Sequence, residues 1–232
     1  MKSKILLLAL SVLCLNSSYA QTDEKNMYWA GSYEFIFSWG DVTATGDQAP
    51  MSVDPVIRFS GFFNYQAQFH YSSHPKFGFY TGLGMRNVGF INDLNDSVRV
   101  KQRVYSLGIP LAIKIGNMEK ESYLALGGEM EMFFHYKQKS FIHDSKTEVD
   151  EWFSDKTELF NPSVFAELKS NRGAFLRFKY YINDFLKADK QSLTVNGADY
   201  KYYPTKSALY YISIGSTINY KILKSKTTNK DM

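Results

Sequence analysis

Between Tyr105 and Ile115 every odd position is apolar (Tyr105, Leu107, Ile109, Leu111, Ile113, Ile115), whereas the even ones are Ser106, Gly108, Pro110, Ala112 and Lys114. A period of two belongs to a β-strand, whose side chains alternate between two faces. The pattern recurs along the chain. Tyr33, Phe35, Phe37 and Trp39 oppose Glu34, Ile36 and Ser38, and a connection from Gly40 to Pro55 follows. Phe59, Gly61, Phe63, Tyr65, Ala67, Phe69 and Tyr71 then alternate with residues from Arg58 to His70. After a turn at 72–76, Phe77, Phe79, Thr81, Leu83 and Met85 oppose Gly78, Tyr80, Gly82, Gly84 and Arg86. A polar connection near 92–97 leads into the strand of Tyr105, which begins near Arg99 and turns at 116–121.

The fifth pattern sets Leu124, Leu126, Gly128, Met130, Met132, Phe134 and Tyr136 against Ala125, Gly127, Glu129, Glu131, Phe133 and His135. A charged loop from Lys137 to Asn161 separates it from Val164, Ala166 and Leu168, which alternate with Ser163, Phe165 and Glu167. Asn171-Arg172-Gly173 is a tight turn. Ala174, Leu176, Phe178, Tyr180 and Ile182 next oppose Phe175, Arg177, Lys179, Tyr181 and Asn183. A loop from Leu186 to Lys206 precedes the eighth pattern, in which Tyr210, Ile212, Ile214 and Ile218 oppose Tyr211, Ser213, Gly215, Thr217 and Asn219.

The connections run long, short, medium, short, long, short, long, the alternation expected of an outer-membrane barrel with short periplasmic turns and long extracellular loops. Ten steps of about 3.3 Å, tilted by about 40°, climb about 25 Å, the height of such a barrel's apolar band. The fold expected is therefore all-β: an eight-stranded antiparallel up-and-down transmembrane β-barrel, acting as a monomer. A soluble exported barrel of the lipocalin kind has the same periodicity with the apolar face turned inward, and periodicity alone does not say which face is out. Aromatic residues near strand ends (Tyr71, Phe77, Tyr105, Tyr220) favour the membrane form, as do glycines on the polar face.

Export is written at the N-terminus. Lys2 and Lys4 precede an apolar run from Ile5 to Leu15 and a small-residue site at Ser18-Tyr19-Ala20, so residues 1–20 read as a signal peptide. Leu13 before Cys14 is too large for a lipoprotein box, and Cys14, the one cysteine, leaves with the signal. Residues 21–222 are assigned to the barrel and 223–232 to a basic periplasmic tail. With 18 Phe and 17 Tyr the chain is strongly aromatic, yet no stretch has the roughly 18 consecutive apolar residues of a membrane helix. The net charge of +4 gives no reason to expect nucleic acid as a partner.

Four pieces carry a family resemblance: the Ala20–Gln21 junction, the Tyr105-Ser-Leu-Gly-Ile-Pro-Leu-Ala-Ile-Lys strand, Leu126-Gly-Gly, and Phe178-Lys-Tyr-Tyr-Ile-Asn-Asp-Phe-Leu. On these the chain resembles the Bacteroidetes outer-membrane β-barrel family that includes PorT-like proteins. The resemblance implies a barrel without assigned activity, and as an alternative a component of an envelope assembly or protein-secretion machinery. The last strand departs from the family ending on a terminal aromatic, because a basic tail continues from Lys221.

The polar faces hold Arg58, Arg86, Lys114, Glu129, Glu131, Glu167, Arg177 and Lys179. An eight-stranded barrel is just wide enough for side chains to fill, so these predict a salt-bridged plug rather than a proton or ion path. Across the 171–173 turn, Glu167 should face Arg177, and Phe165 should face Lys179. Arg99, Lys101 and Arg103 continue the outward parity of Tyr105 upward, where they could meet lipopolysaccharide phosphates. Trp152 and Phe153 in one long loop and Tyr200, Tyr202 and Tyr203 in another are candidate contacts for an envelope protein or a glycan, although the first loop equally reads as a strand hairpin extending beyond the membrane.

The four histidines show no metal-ligand spacing, and no cofactor is expected. His143-Asp144-Ser145 is superficially like the motif of outer-membrane lipid A deacylases, which keeps a lipid-modifying enzyme as a second alternative. It lies in a loop with no completing carboxylate, so no catalytic residue is assigned. Gly82-Leu83-Gly84 sits inside a strand and is no nucleotide loop.

Overall fold

The computed structural model describes residues 27–45, 51–52, 54–95, 98–142, 145–191, 193–195, 198–200 and 203–219. In chain order the strands are β1 (Met27–Thr45), β2 (Met51–Ser52), β3 (Asp54–Val56), β4 (Arg58–Ser60), β5 (Tyr65–His74), β6 (Phe77–Asn95) and β7 (Val98–Asn117). They continue with β8 (Ser122–Ile142), β9 (Ser145–Trp152), β10 (Phe160–Lys169), β11 (Ala174–Tyr181), β12 (Leu193–Val195), β13 (Ala198–Tyr200) and β14 (Tyr203–Asn219). The antiparallel order β10-β11-β14-β1-β5-β6-β7-β8 closes on itself through β8–β10, giving a ring of eight strands. Closure removes the free edges that an open sheet would expose. Among the described residues no helix is long and apolar enough to cross a membrane, which says nothing of a barrel.

Ring closure decides which face is out. Ile109, Leu111, Ile113 and Ile115 point outward and are 50–65% exposed, while Lys114 between them is completely buried. The lipocalin-like arrangement is thereby excluded, because there the apolar face would fill the interior. Glycines on the inner face make room for the large side chains: a Cβ on Gly108 would lie 2.3 Å from Glu129 Oε1, and one on Gly215 would lie 2.2 Å from the Phe175 ring.

At one end the hairpins are tight. Ser170 N–H bonds to Ala174 O at 2.8 Å, and Gly173 takes φ +87°, the left-handed conformation that this three-residue turn demands. The resulting register pairs Glu167 with Arg177 and Phe165 with Lys179, as the turn geometry predicts.

At the other end the strands run farther than the alternation suggests. β1 continues to Thr45 inside the expected Gly40–Pro55 connection, and β6 and β7 pair as far as Asn95 and Val98. The 137–161 loop largely becomes a hairpin, with β8 extended to Ile142 and paired with β9. In this extension the polarity of the faces is reversed: Val88, Phe90, Val100 and Val104 point inward, packed in one buried cluster with Ile36, Phe133, Tyr136 and Leu209.

Two local departures break the expected alternation. A register shift opposite Tyr105/Ser106 inserts Phe134 as an extra residue in β8, so Phe133 and Tyr136 are both buried inside, whereas strict alternation would put Tyr136 outside. The expected continuous strand from Arg58 to Tyr71 is broken at 61–64, where Phe63 adopts φ +64°.

Candidate functional site

Halfway along the lumen the inward positions of all eight ring strands converge on a layer of charge. Arg177 donates from Nε to Glu167 Oε2 at 3.0 Å, from Nη1 to both Glu34 oxygens at 3.2 and 3.3 Å, and from Nη2 to Gln66 Oε1 at 3.1 Å. Arg86 bonds Glu34 at 2.7 Å, Glu129 at 2.5 Å and Gln66 Oε1 at 3.1 Å. Lys179 Nζ bridges Glu129, at 2.7 Å, and Glu131. Ser213, Ser106 and Tyr181 hydroxyls complete the shells of Glu34 and Glu131. All of these charged side chains are at most 5% exposed.

Burial on this scale is tolerable only when each charge is paired and hydrogen-bonded. The layer meets that condition, since every carboxylate in it accepts from at least one cation. Its chemistry is that of a fixed network in which every charge is paired, although Gln66 Nε2 is buried without a hydrogen-bond partner. Among the described residues no group of three His, Cys, Asp or Glu side chains could hold a metal.

Six of the eight sequence-assigned lumen charges meet in this layer; Arg58, which is bonded to Asn87, and Lys114 do not. Lys114 lies toward the tight-turn end, with Nζ 3.3 Å from His70 Nδ1 and over the rings of Tyr28 and Tyr123. Glu34 is the member that the sequence reading left out of the charge list. Its signal was present all the same, as an acid alternating with aromatics on β1.

Above the charge layer the lumen is closed by apolar side chains. Phe185 and Leu186, from the segment after β11, insert into the buried cluster, with the Phe185 ring 5.0 Å from Phe90 and 5.8 Å from Phe133. Ser207 holds the segment down through bonds from Phe185 N and Leu186 N and to Asp184 Oδ1.

The second candidate is the outer face of β6–β9 beyond Tyr105. One cross-strand row is Asn87–Tyr105–His135–Trp152, and the His135 ring lies 5.5 Å from Tyr105 and 4.7 Å from Trp152. Rows above it bring Arg103 beside Lys137 and Asp150, then Lys101 beside Lys139 and Glu148, then Arg99 beside Asp93 and Phe141. Hydrogen bonds from Lys137 and then Lys146 hold the Glu148 carboxyl down at about 2, and those from Lys137 and His135 lower Asp150. Arg99 is engaged by Asp93 at 2.6 and 2.7 Å, which lowers the Asp93 carboxyl.

Among the described residues Lys101 and Arg103 form no salt bridge, Lys101 acting on Asp93 only at longer range; they lie over the Phe141 and Tyr105 rings at 5.1 and 5.6 Å. Trp152 and Phe153 are 67% and 63% exposed at the foot of β9. Tyr200 ends β13 and Tyr203 begins β14, while Tyr202, Tyr220, His143 and Asp144 lie outside the described residues.

Solved structures similar to this chain include Ail, the attachment invasion locus protein of Yersinia pestis, at 10% identity and a TM-score of 0.34, covering 82% of this chain and 99% of that one. Neisserial surface protein A (NspA) is similar at 9% identity and a TM-score of 0.38, covering 82% and 96%. Ail in complex with the heparin analogue sucrose octasulfate gives 9%, 0.32, 82% and 99%. No family model matches the chain, and no curated protein does.

Proposed function

We propose that the protein is a non-catalytic outer-membrane barrel with a plugged lumen, acting through its outward surface and its extracellular loops. The observation that carries this reading is the inversion of polarity along β7. Outward positions are charged at Arg99, Lys101 and Arg103, become aromatic at Tyr105, and are purely aliphatic from Leu107 to Ile115. Inward positions carry no charge above Tyr105, where they are Val100, Gln102 and Val104, and end on the buried Lys114 below it. One strand with unchanged geometric parity thus passes between two solvents, water above Tyr105 and hydrocarbon below it.

Aromatic residues border the apolar belt at both ends, with Trp39, Tyr180 and Tyr210 stacked on the loop side and Trp29, Phe69, Tyr71 and Phe79 in contact on the turn side. Rings of this kind suit the two membrane interfaces. The belt from Leu107 to Ile115 meets lipid, and the basic rows stand at the height of lipopolysaccharide phosphates. Trp152 and Phe153 offer a cell-surface contact for an envelope protein or a glycan. Their exposure also supports the second reading, a component of an envelope assembly or secretion machinery, which a pull-down from intact outer membranes tests.

Single cysteines at 101, 103, 109 and 111, probed in whole cells with a membrane-impermeant maleimide, test the placement. The first two should label and the last two should not. Labelling at 109 and 111 would end the membrane reading.

A further inference from the structure

The barrel wall is interrupted on one side, at the height of Tyr105. The β5–β6 ladder ends at Tyr65–Met85 and pairing of β6 resumes only at Val56–Ile91, while β4 pairs with β1 alone. Over that gap side chains replace the ladder. Asn87 N–H donates to Asn64 Oδ1 at 3.0 Å, Asn87 O accepts from Arg58 Nη1 at 3.2 Å, and Gly89 O accepts from Ser38 Oγ at 2.5 Å. Arg58 also donates to Asn87 Oδ1 at 2.6 Å, so a guanidinium sits within the wall itself. Buried backbone groups must find partners, and here they find them without a strand.

Two features at this break call for a ligand. First, Arg58 is 8% exposed and bonded only to Asn87, whose cross-strand partner Tyr105 carries the Arg103 guanidinium over its ring, so two cations flank the spot with no salt bridge to either among the described residues. A nearly buried cation without a counter-charge is unfavourable, and a like charge beside it makes it more so. Second, the broken segment projects outward: Phe62 is 76% exposed, and Phe63, in the left-handed conformation that non-glycine residues rarely adopt, meets the Tyr105 ring edge-on at 5.5 Å. Phe59, Phe63 and Tyr65, all at least half exposed, continue as an aromatic strip below the two cations.

We propose that a phosphate of lipopolysaccharide binds at this break between Arg58 and Arg103, with one of its acyl chains along Phe59, Phe63 and Tyr65. Guanidinium groups suit the task because they donate forked, charge-assisted hydrogen bonds to phosphate oxygens. The inference rests on the outer-membrane placement and assigns a role to Arg58, whose guanidinium lies in the wall at Asn87 and makes no bond to the charge layer.

The test uses the full mature chain in nanodiscs containing lipid A, or phosphatidylglycerol in its place. Bound phosphate lipid is counted after exchange into detergent, and gel mobility of unboiled samples reports the fold. Arg58→Gln should lower lipid A retention about tenfold, the loss of one charge-assisted contact, with mobility unchanged. A photoreactive residue at position 63 in the otherwise natural chain should crosslink to lipid A, and this stands even if Arg58→Gln does not fold. Retention lost with Lys101→Gln and Arg103→Gln but kept with Arg58→Gln would overturn the site and leave the outer basic face as the lipid contact. Equal retention of phosphatidylglycerol, or absence of the crosslink, would also overturn it.

Discussion

Glu167 and Arg177 face each other across the β10–β11 hairpin, and the guanidinium holds Glu167 Oε2 with both Nε and Nη2, sealed from water at 2% exposure or less. Removing one partner of a buried pair leaves a bare charge and typically costs about 3–5 kcal/mol, whereas removing both can be far milder. Glu167→Ala should therefore lower stability to denaturant more than Glu167→Ala combined with Arg177→Leu. The rescue is partial, because Glu34 also loses Arg177 and keeps Arg86 and Ser213. Additive losses in the double-mutant comparison would show that the two side chains act independently.

Gly127 and Gly128 are neighbours with opposite surroundings. A Cβ at 127 would lie 2.5 Å from Leu111 O and 2.8 Å from the Phe165 ring, while at 128 the nearest atom is Ser163 O at 3.5 Å. Gly127→Ala should destabilise by about 1–3 kcal/mol through overpacking, and Gly128→Ala should be close to neutral. Unfolding midpoints of the two variants in the same detergent provide the comparison.

The charge layer and the Phe185–Leu186 cap fill the lumen in series, so purified protein in planar bilayers should give no sustained conductance. Phe185→Ala removes the ring packed on Phe90 and Phe133 and should lower stability by about 3–5 kcal/mol. It should still not open a channel, because the ion network below is untouched. Porin-sized currents from the natural chain would refute the plug.

On the outer face, Arg99 is already engaged by Asp93, while Lys101 and Arg103 form no salt bridge among the described residues. Neutralising Lys101 and Arg103 together should reduce co-purifying lipopolysaccharide more than Arg99→Gln does. Phosphate analysis of the purified variants measures it, and unchanged lipid in all of them would reject this face as a contact.

The β8–β9 hairpin carries a pH dependence whose sign follows from its lowered carboxyls. Glu148 and Asp150 titrate below their ordinary values because Lys137, Lys146 and His135 bond their charged forms. Their contribution is complete above the unfolded carboxylate range, near 4.5 for Glu148, and is lost as pH falls toward about 2. With His135 replaced by Gln, so that no imidazole lies beside Trp152, its fluorescence should stay constant from about pH 8 to 5 and change only below that window. These groups are exposed, so the effect should be small and weakened by salt.

The period-two pattern, the tight turns and the alternation of connection lengths were enough to give the strand count, the ring strands and the Glu167–Arg177 register, because each depends on local backbone geometry. Sequence also placed Arg86, Glu129, Glu131, Arg177 and Lys179 on one kind of face. It could not say whether that face was inside, since alternation is symmetric; only closure of β8 onto β10 put charge within and Ile109 and Leu111 outside. Nor did it show that Lys114 stands apart from the network, that Phe134 is an extra residue, or that the Arg58–Tyr71 strand breaks at 61–64. Those depend on which side chains from distant strands reach the same height in the ring, and on where curvature forces a bulge. A linear pattern carries neither, because height and curvature are properties of the closed sheet rather than of any one strand.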